Sequence, residues 1–234
     1  MVFRSLIMKN LLVALLFFSM TSAPVLADDF DPIEDVNRAT YSFNELFDDT
    51  IFEPLSRAYK RYIPEFAQTG VRNFFGNLRD VQTLANQIIQ LKPIDSANTL
   101  GRIIVNTSIG VGGLFDVSSS LGLTTNDEDF GQTMAVWGVP AGPYVVLPFL
   151  GPSTLRDSIG IFVDISSDAN MINKMDGNEF ITANTLSTID KRVELLPTTD
   201  LFNQSDDPYI AMRSSYLQNR RFEIFDGNPP IDDF

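Results

Sequence analysis

The chain has 234 residues, 44% of them hydrophobic, a formal net charge of −13, and neither histidine nor cysteine. Its length and apolar content suit one folded domain with a sizeable core. The missing residue types exclude a Ser-His-Asp or Cys-His nucleophile, an ordinary zinc site and any disulfide. The acidic balance argues against nucleic acid and against simple electrostatic docking on anionic lipid.

Residues 1–27 read as a secretory signal peptide. Arg4 and Lys9 supply the positive start, Leu11 to Phe18 the apolar stretch, and Val25-Leu26-Ala27 a small-x-small cleavage site before Asp28. The mature chain is therefore expected to be exported, and to be more acidic still once Arg4 and Lys9 are removed.

Positions 31–51 predict an amphipathic helix with Asp31 as N-cap and Pro32 in its first turn. Val36, Thr40, Phe43 and Phe47 recur at helical spacing and are expected to be the buried stripe. Beside them runs a polar stripe of Asn37, Tyr41, Asn44 and Asp48, with Glu34, Arg38, Glu45 and Asp49 on the remaining face. Such a stripe suits a wall lining something wet; equally, its asparagines could be satisfied by hydrogen bonds to neighbouring loops. Pro54 is expected to interrupt, and residues 55–62 to form a short helix ended by Pro64.

Residues 69–78 place Val71, Phe74, Phe75 and Leu78 on one face, and Asp80 is expected to cap a further helix carrying Leu84, Ile88 and Leu91. Asp95 should cap the next, with Leu100, Ile103 and Ile104 inward and Arg102 reaching a neighbour. Gly110, Gly112 and Gly113 lack the Gly-Lys-Ser/Thr of a phosphate-binding loop and read as tight turns.

No charged residue occurs between positions 130 and 155. That span is long enough for a transmembrane helix. Pro140, Pro143, Pro148 and Pro152, with Gly138, Gly142 and Gly151, forbid a continuous one. The segment therefore has membrane-spanning length, is expected to be bent, and cannot cross as one helix. A short helix follows near 159–165, then a helix over 180–196 stopped by Pro197. The last helix starts at Asp207-Pro208 and reaches about Phe225, ahead of a frayed tail over 226–234.

Few segments alternate with period two, so the fold class is all-α, built of short helices punctuated by Pro and Gly. The acidic run Asp127-Glu128-Asp129 lacks the ligand spacing and turn glycine of a calcium loop. No catalytic residue, metal or cofactor is assigned, and the chain is not expected to be an enzyme.

Several segments together resemble the MlaA/VacJ family of Gram-negative bacteria. They are Asp31-Pro32, Glu34, Asn37-Arg38 and Phe43-Asn44; Gly70-Val71 with Asn73-Phe74-Phe75 and Asn77-Leu78; and Asn106-Thr107, Gly110, Gly112-Gly113 and Asp116. The most telling block is Glu128 to Thr133, followed by Trp137-Gly138-Val139, Gly142-Pro143-Tyr144, Leu147-Pro148, Leu150 to Ser153 and Arg156-Asp157. Asp207-Pro208-Tyr209, Arg213 and Tyr216-Leu217 close the set.

The resemblance implies a single helical domain over 28–225, a ring of amphipathic helices lying in the membrane plane around a central channel, with a Gly/Pro-rich hairpin. It implies intermembrane phospholipid transport. Lipids misplaced in the outer leaflet of the outer membrane would be removed through an amphipathic channel and passed to a soluble periplasmic carrier, preserving lipid asymmetry. It also implies residence in the periplasmic leaflet of the outer membrane and association with a trimeric porin. Asn37, Tyr41, Asn44 and Asp48 are the channel candidates. Gly138, Gly142, Pro143, Tyr144, Leu147, Pro148, Phe149, Gly151 and Pro152 are candidates for the gating or membrane-inserted hairpin. Typical relatives carry a lipobox cysteine; this sequence has no Cys, so membrane residence is expected to rest on the helices and the uncharged segment, or on a partner. A soluble periplasmic lipid-binding or scaffold protein is the alternative.

Overall fold

The computed structural model describes residues 31–124 and 126–230. The signal-peptide reading for 1–27 and the end of the tail at 231–234 lie outside the described residues. The all-α expectation is borne out, with one small exception in the uncharged segment.

Helix α1 spans Glu34–Phe47, passes through a π-turn at Asp48–Phe52, and continues as α2, Glu53–Tyr62. Pro54 therefore does not interrupt. It sits in the first turn of α2, and the looser π-turn before it lets the chain absorb a residue without an amide donor. Asp31 is not the N-cap either; Ile33 holds that position without a side-chain bond. The Asp31 carboxylate is instead engaged from elsewhere in the fold, accepting from Asn37 Nδ2 at 2.8 Å and from the Tyr209 hydroxyl, with Arg213 at 3.6 Å.

Helix α3 runs unbroken from Glu65–Ile89, merging the two helices expected on either side of Asp80. Asp80 lies inside it, 3% exposed and 3.4 Å from Arg102 of α4, Pro93–Ser108. The Asp95 cap is corrected as well, since α4 starts at Pro93 with Lys92 before it. Arg102 does reach a neighbour, donating to the Leu123 carbonyl at 2.8 Å and to Ser119 Oγ at 3.0 Å. The Gly110–Gly113 stretch forms turns as expected, leading to α5, Val117–Ser120.

The uncharged segment opens with α6, Phe130–Val136, where the Asp129 side chain accepts from Gln132 N at 2.8 Å. It then forms an antiparallel hairpin of β1, Tyr144–Leu147, and β2, Gly151–Thr154, with Tyr144 opposite Thr154 and Leu147 opposite Gly151. Helix α7, Leu155–Ser166, crosses α6 closely: a Cβ on Gly160 would stand 2.5 Å from Gly131 N. A 3₁₀ turn at Met171–Lys174 leads to α8, Gly177–Phe202, which runs through Pro197 instead of stopping there. Asp207 caps α9, Pro208–Ile224, as expected, accepting from Ile210 N at 3.2 Å.

The largest departure from expectation is which faces are buried. Val36 is 61% exposed and Phe43 41%, while Asn37 in the polar stripe is 1% exposed. The same inversion recurs in α4, where Leu100 and Ile104 face outward and Thr99 and Asn106 are buried. Ile88 and Leu91 point out, whereas Thr83, Asn86 and Gln87 point in. A helical period fixes two faces but not which one meets the protein, and an apolar exterior is stable only against something apolar. Among the described residues, no helix is long and apolar enough to cross a membrane. The apolar interior is small, centred on Tyr144, Val146 and Tyr209, with Tyr41, Met212, Tyr216 and Leu217 against it.

Candidate functional site

Polar residues gathered inside leave wet space between helices. A cavity of about 840 Å³ lies between α3, the loop before α6, α8 and α9, walled by Arg79, Gln82, Thr83, Asp127, Gln132, Lys191 and Asn219 among others. A second of about 340 Å³ lies between α3, α4 and the loop around α5. Arg79 and Asp127 line both. On the same α3 and α8 there is a third, apolar space of about 440 Å³, bounded by Val71, Phe74, Phe75, Leu114, Ala183 and Leu186.

The carboxylates of the main cavity are largely matched by cations at its edge. Lys92 reaches Glu128 at 2.6 Å and Asp226 at 2.8 Å. Arg220 grips Asp129 through both oxygens, at 2.6 and 2.7 Å, and meets Glu223 at 3.1 Å and Asp157 at 3.0 Å. Burial alone would raise the Asp157 carboxyl, but the neighbouring Arg220 and Arg156 charges and the Thr154 hydroxyl hold it below its usual range. Asp157 also accepts from Tyr216 at 2.9 Å, so α6, α7, β2 and α9 meet on one charged knot. Lys191 is exposed and opens onto the cavity, where desolvation and then Arg79 push its amine down against the pull of Asp127 and Glu194.

The hairpin is fastened to α1 by two asparagines two turns apart. Asn37 donates to the Tyr144 carbonyl at 3.0 Å and accepts from Val146 N at 2.8 Å. Asn44 donates to the Leu147 carbonyl at 2.9 Å and accepts from Phe149 N at 2.8 Å. Each amide side chain thus imitates the backbone of a neighbouring strand along the free edge of β1.

Phe149 sits in the turn with φ of 64°, in the left-handed region, and its ring meets Phe43 at 5.3 Å and Phe47 at 5.1 Å. Gly142 has φ of 71°, and a Cβ there would press on Leu155 Cβ at 3.1 Å. The backbone around it is tied to α7, Pro143 and Ala141 carbonyls accepting from Leu155 and Arg156 amides at 3.0 Å. Gly138 follows α6 and Gly151 opens β2, both at positive φ; Pro148 lies in the turn and Pro152 in β2.

A fourth cavity, about 350 Å³, lies beneath the hairpin tip. Tyr41, Asn44 and Asp48 line it together with Phe149, Gly151 and Pro152 from the hairpin and Arg192 and Leu195 from α8. Asn37 is not among its lining residues. Asp48 is held by Arg192 through both oxygens, at 2.7 and 2.6 Å, with Glu53 3.4 Å from the same guanidinium. The acidic group Asp48, Asp49 and Glu53 therefore already contains a cation. Burial, then Glu45, pushes the Tyr41 hydroxyl up to about 12.

Arg79 and Lys191 were not singled out by the sequence. Splitting α3 at Asp80 hid that Arg72, Arg79 and Asp80 belong to one helix, and nothing local distinguishes Lys191 from a solvated lysine.

The chain is similar to known proteins. A sequence model of the MlaA lipoprotein family matches residues 29–223. The intermembrane phospholipid transport system lipoproteins MlaA of Shigella flexneri and of Escherichia coli (strain K12) are each 35% identical to the chain over 196 residues, spanning 82% of it and 77% of their own length. An uncharacterised protein of Rickettsia prowazekii is 34% identical over 197 residues, 83% of this chain and 78% of its own. A structure solved in work on the "structural basis for maintenance of bacterial outer membrane lipid asymmetry" superposes with a TM-score of 0.72 at 32% identity, covering 85% of this chain and all of that one. The chain belongs to the MlaA lipoprotein family.

Proposed function

We propose that this protein removes misplaced phospholipids from the outer leaflet of the outer membrane and passes them through its interior to a soluble periplasmic carrier. The observation that carries the reading is the inversion of polarity. Large apolar side chains such as Phe66 (81% exposed) and Leu91 (85%) face outward, while polar side chains surround internal cavities. An exterior of this kind suits helices seated in one leaflet, with acyl chains as their solvent and headgroups kept inside. No covalent chemistry is required of the chain.

In this reading the helices lie in the periplasmic leaflet as a ring, and a trimeric porin is the neighbour that holds the ring in place. The Tyr41, Asn44 and Asp48 face forms part of the path under the hairpin tip. The hairpin 138–152 gates it, its exposed tip held to α1 by Asn44 and by the ring cluster of Phe43, Phe47 and Phe149. The names of the relatives, phospholipid transport system lipoproteins, support the lipid as cargo.

The test is a strain lacking the protein, complemented with the wild type or with Gly142→Val and Pro148→Ala, and assayed for outer-leaflet phospholipid. Loss of asymmetry in the deletion and altered asymmetry in the hairpin variants are expected. Unchanged outer-leaflet lipid in the variants sinks the gate, and unchanged lipid in the deletion sinks the transport reading. Carbonate washing then separates a membrane-seated protein from a soluble periplasmic binder, since release into the soluble fraction supports the latter.

A further inference from the structure

Arg79 of α3 and Lys191 of α8 face the same polar cavity, and the Arg79 charge reaches Lys191. In a chain of net charge −13 such a pair would ordinarily be covered by carboxylates. Here the acids on the cavity wall are committed elsewhere, Glu128 and Asp226 to Lys92 and Asp129 and Glu223 to Arg220. On the wall that leaves Asp127, which stands 4.0 Å from Arg79 with its side chain 71% exposed; off the wall, Glu194 also acts on Lys191, and Asp80 and Asp190 lie within reach of the Arg79 charge while they face Arg102 and Arg72. Among the described residues, the Lys191 side chain has no hydrogen bond or ion pair, and Arg79 Nε is buried without a hydrogen-bond partner.

Two cations that face one cavity repel one another, and an anion placed between them relieves that cost. A guanidinium fork with an ammonium beside it matches the tetrahedral oxygens of a phosphate. A further observation selects the kind of phosphate. The apolar space bounded by Phe74, Phe75 and Ala183 lies on the same two helices, about one turn from Arg79 along α3 and about two turns from Lys191 along α8. A ligand with an anionic head and apolar tails matches the two kinds of surface that these helices offer.

We infer that Arg79 and Lys191 form a subsite for the phosphodiester of a glycerophospholipid, its acyl chains lying toward Phe75 and Ala183. The subsite rests on the transport reading and deepens it. Arg79 contributes two directed bonds and Lys191 a point charge. The headgroup beyond the phosphate faces the polar wall at Gln82 and Asn219.

The experiment uses the full chain in uncharged detergent, with dihexanoylphosphatidylglycerol, dihexanoylglycerol and inorganic phosphate as probes, read by native mass spectrometry and calorimetry. Replacing both cations, Arg79→Gln with Lys191→Gln, should weaken the phospholipid on the order of tenfold or more, as lost charge-assisted bonds imply. Dihexanoylglycerol should bind the double variant and the wild type alike, and Lys191→Arg should keep most of the phospholipid affinity. Equal phospholipid affinity in wild type and double variant overturns the subsite while leaving transport standing. Displacement of the phospholipid by an equal concentration of inorganic phosphate assigns the pair to free phosphate and overturns the lipid assignment. A wild type that binds neither diacyl probe overturns the transport reading itself. Amine labelling at Lys191 in the wild type needs no variant: protection by the phospholipid and not by dihexanoylglycerol is expected, and unchanged labelling overturns the subsite.

Discussion

The side-chain oxygen of Asn37 accepts the backbone amide proton of Val146 at 2.8 Å, across 109 positions of sequence. The same side chain donates to the Tyr144 carbonyl, so one residue of α1 closes the open edge of β1. Asn37→Ala would leave a buried amide and a buried carbonyl without partners, at a cost of about 2 kcal/mol or more. A lowered thermal midpoint with faster hydrogen exchange at Val146 is the expected result. Asn44→Ala should affect the exposed turn instead, speeding exchange at Phe149 with a smaller loss of stability, because that amide is already accessible.

Gly160→Ala tests the crossing of α6 and α7. The added methyl would meet Gly131 N at 2.5 Å and Gly131 Cα at 2.7 Å, and backbone cannot swing aside as a side chain can. The helices must separate, and the nearby charged knot of Asp157 and Arg220 with them. A loss of about 1–3 kcal/mol in chemical denaturation is expected, as for other overpacked contacts.

Arg220→Met should be more damaging than its size suggests. It leaves Asp129 and Glu223 without that cation, and Asp157, 3% exposed, with Arg156 alone at 2.9 Å. Breaking one side of a buried ion pair costs about 3–5 kcal/mol. Denaturation should show that loss, and the midpoint should partly recover on acidification as the stranded carboxylates protonate.

Asp80 gives a pH dependence of the opposite sign to an ordinary ion-paired carboxylate. Burial raises its carboxyl to about 6, against the pull of Arg102. Between the unfolded value near 3.8 and about 6 the unfolded chain gives up the proton first, so stability falls as pH rises through this window. The ionised group costs on the order of 2–3 kcal/mol at neutral pH. The stability difference between wild type and Asp80→Asn should therefore shift in favour of the variant from pH 4 to pH 7, as measured by paired thermal melts.

The outward apolar face is tested by Leu91→Glu with Ile94→Glu. Both residues are exposed, at 85% and 76%, so the midpoint in detergent should hardly move. Partition into phospholipid vesicles should drop several-fold, since two apolar contacts with the leaflet become charged ones.

The sequence by itself determined the helical class, the N-cap at Asp207, the turns at Gly110–Gly113 and the breaking of the uncharged segment into a hairpin. Each depends on local chemistry: periodicity, a capping carboxylate, glycines free to take positive φ, prolines without an amide proton. It also resolved two faces on α1, one apolar and one lined with Asn37, Tyr41 and Asn44.

Only the tertiary structure decided which of those faces points inward. The period of Val36 and Phe43 is identical whether they meet a protein core or a lipid tail, and partners such as Val146 lie more than a hundred residues away. The continuity of α3 through Asp80, and of α8 through Pro197, was also beyond local reading. In α3, a distant Arg102 partly offsets the buried carboxylate; for α8, the pattern around Pro197 reads locally as a stop, and the structure carries the helix on. The pairing of Arg79 with Lys191 belongs to the same class of fact. Neither residue is distinctive in its own helix, and it took the fold to bring both cations to one cavity while spending the surrounding carboxylates on Lys92 and Arg220.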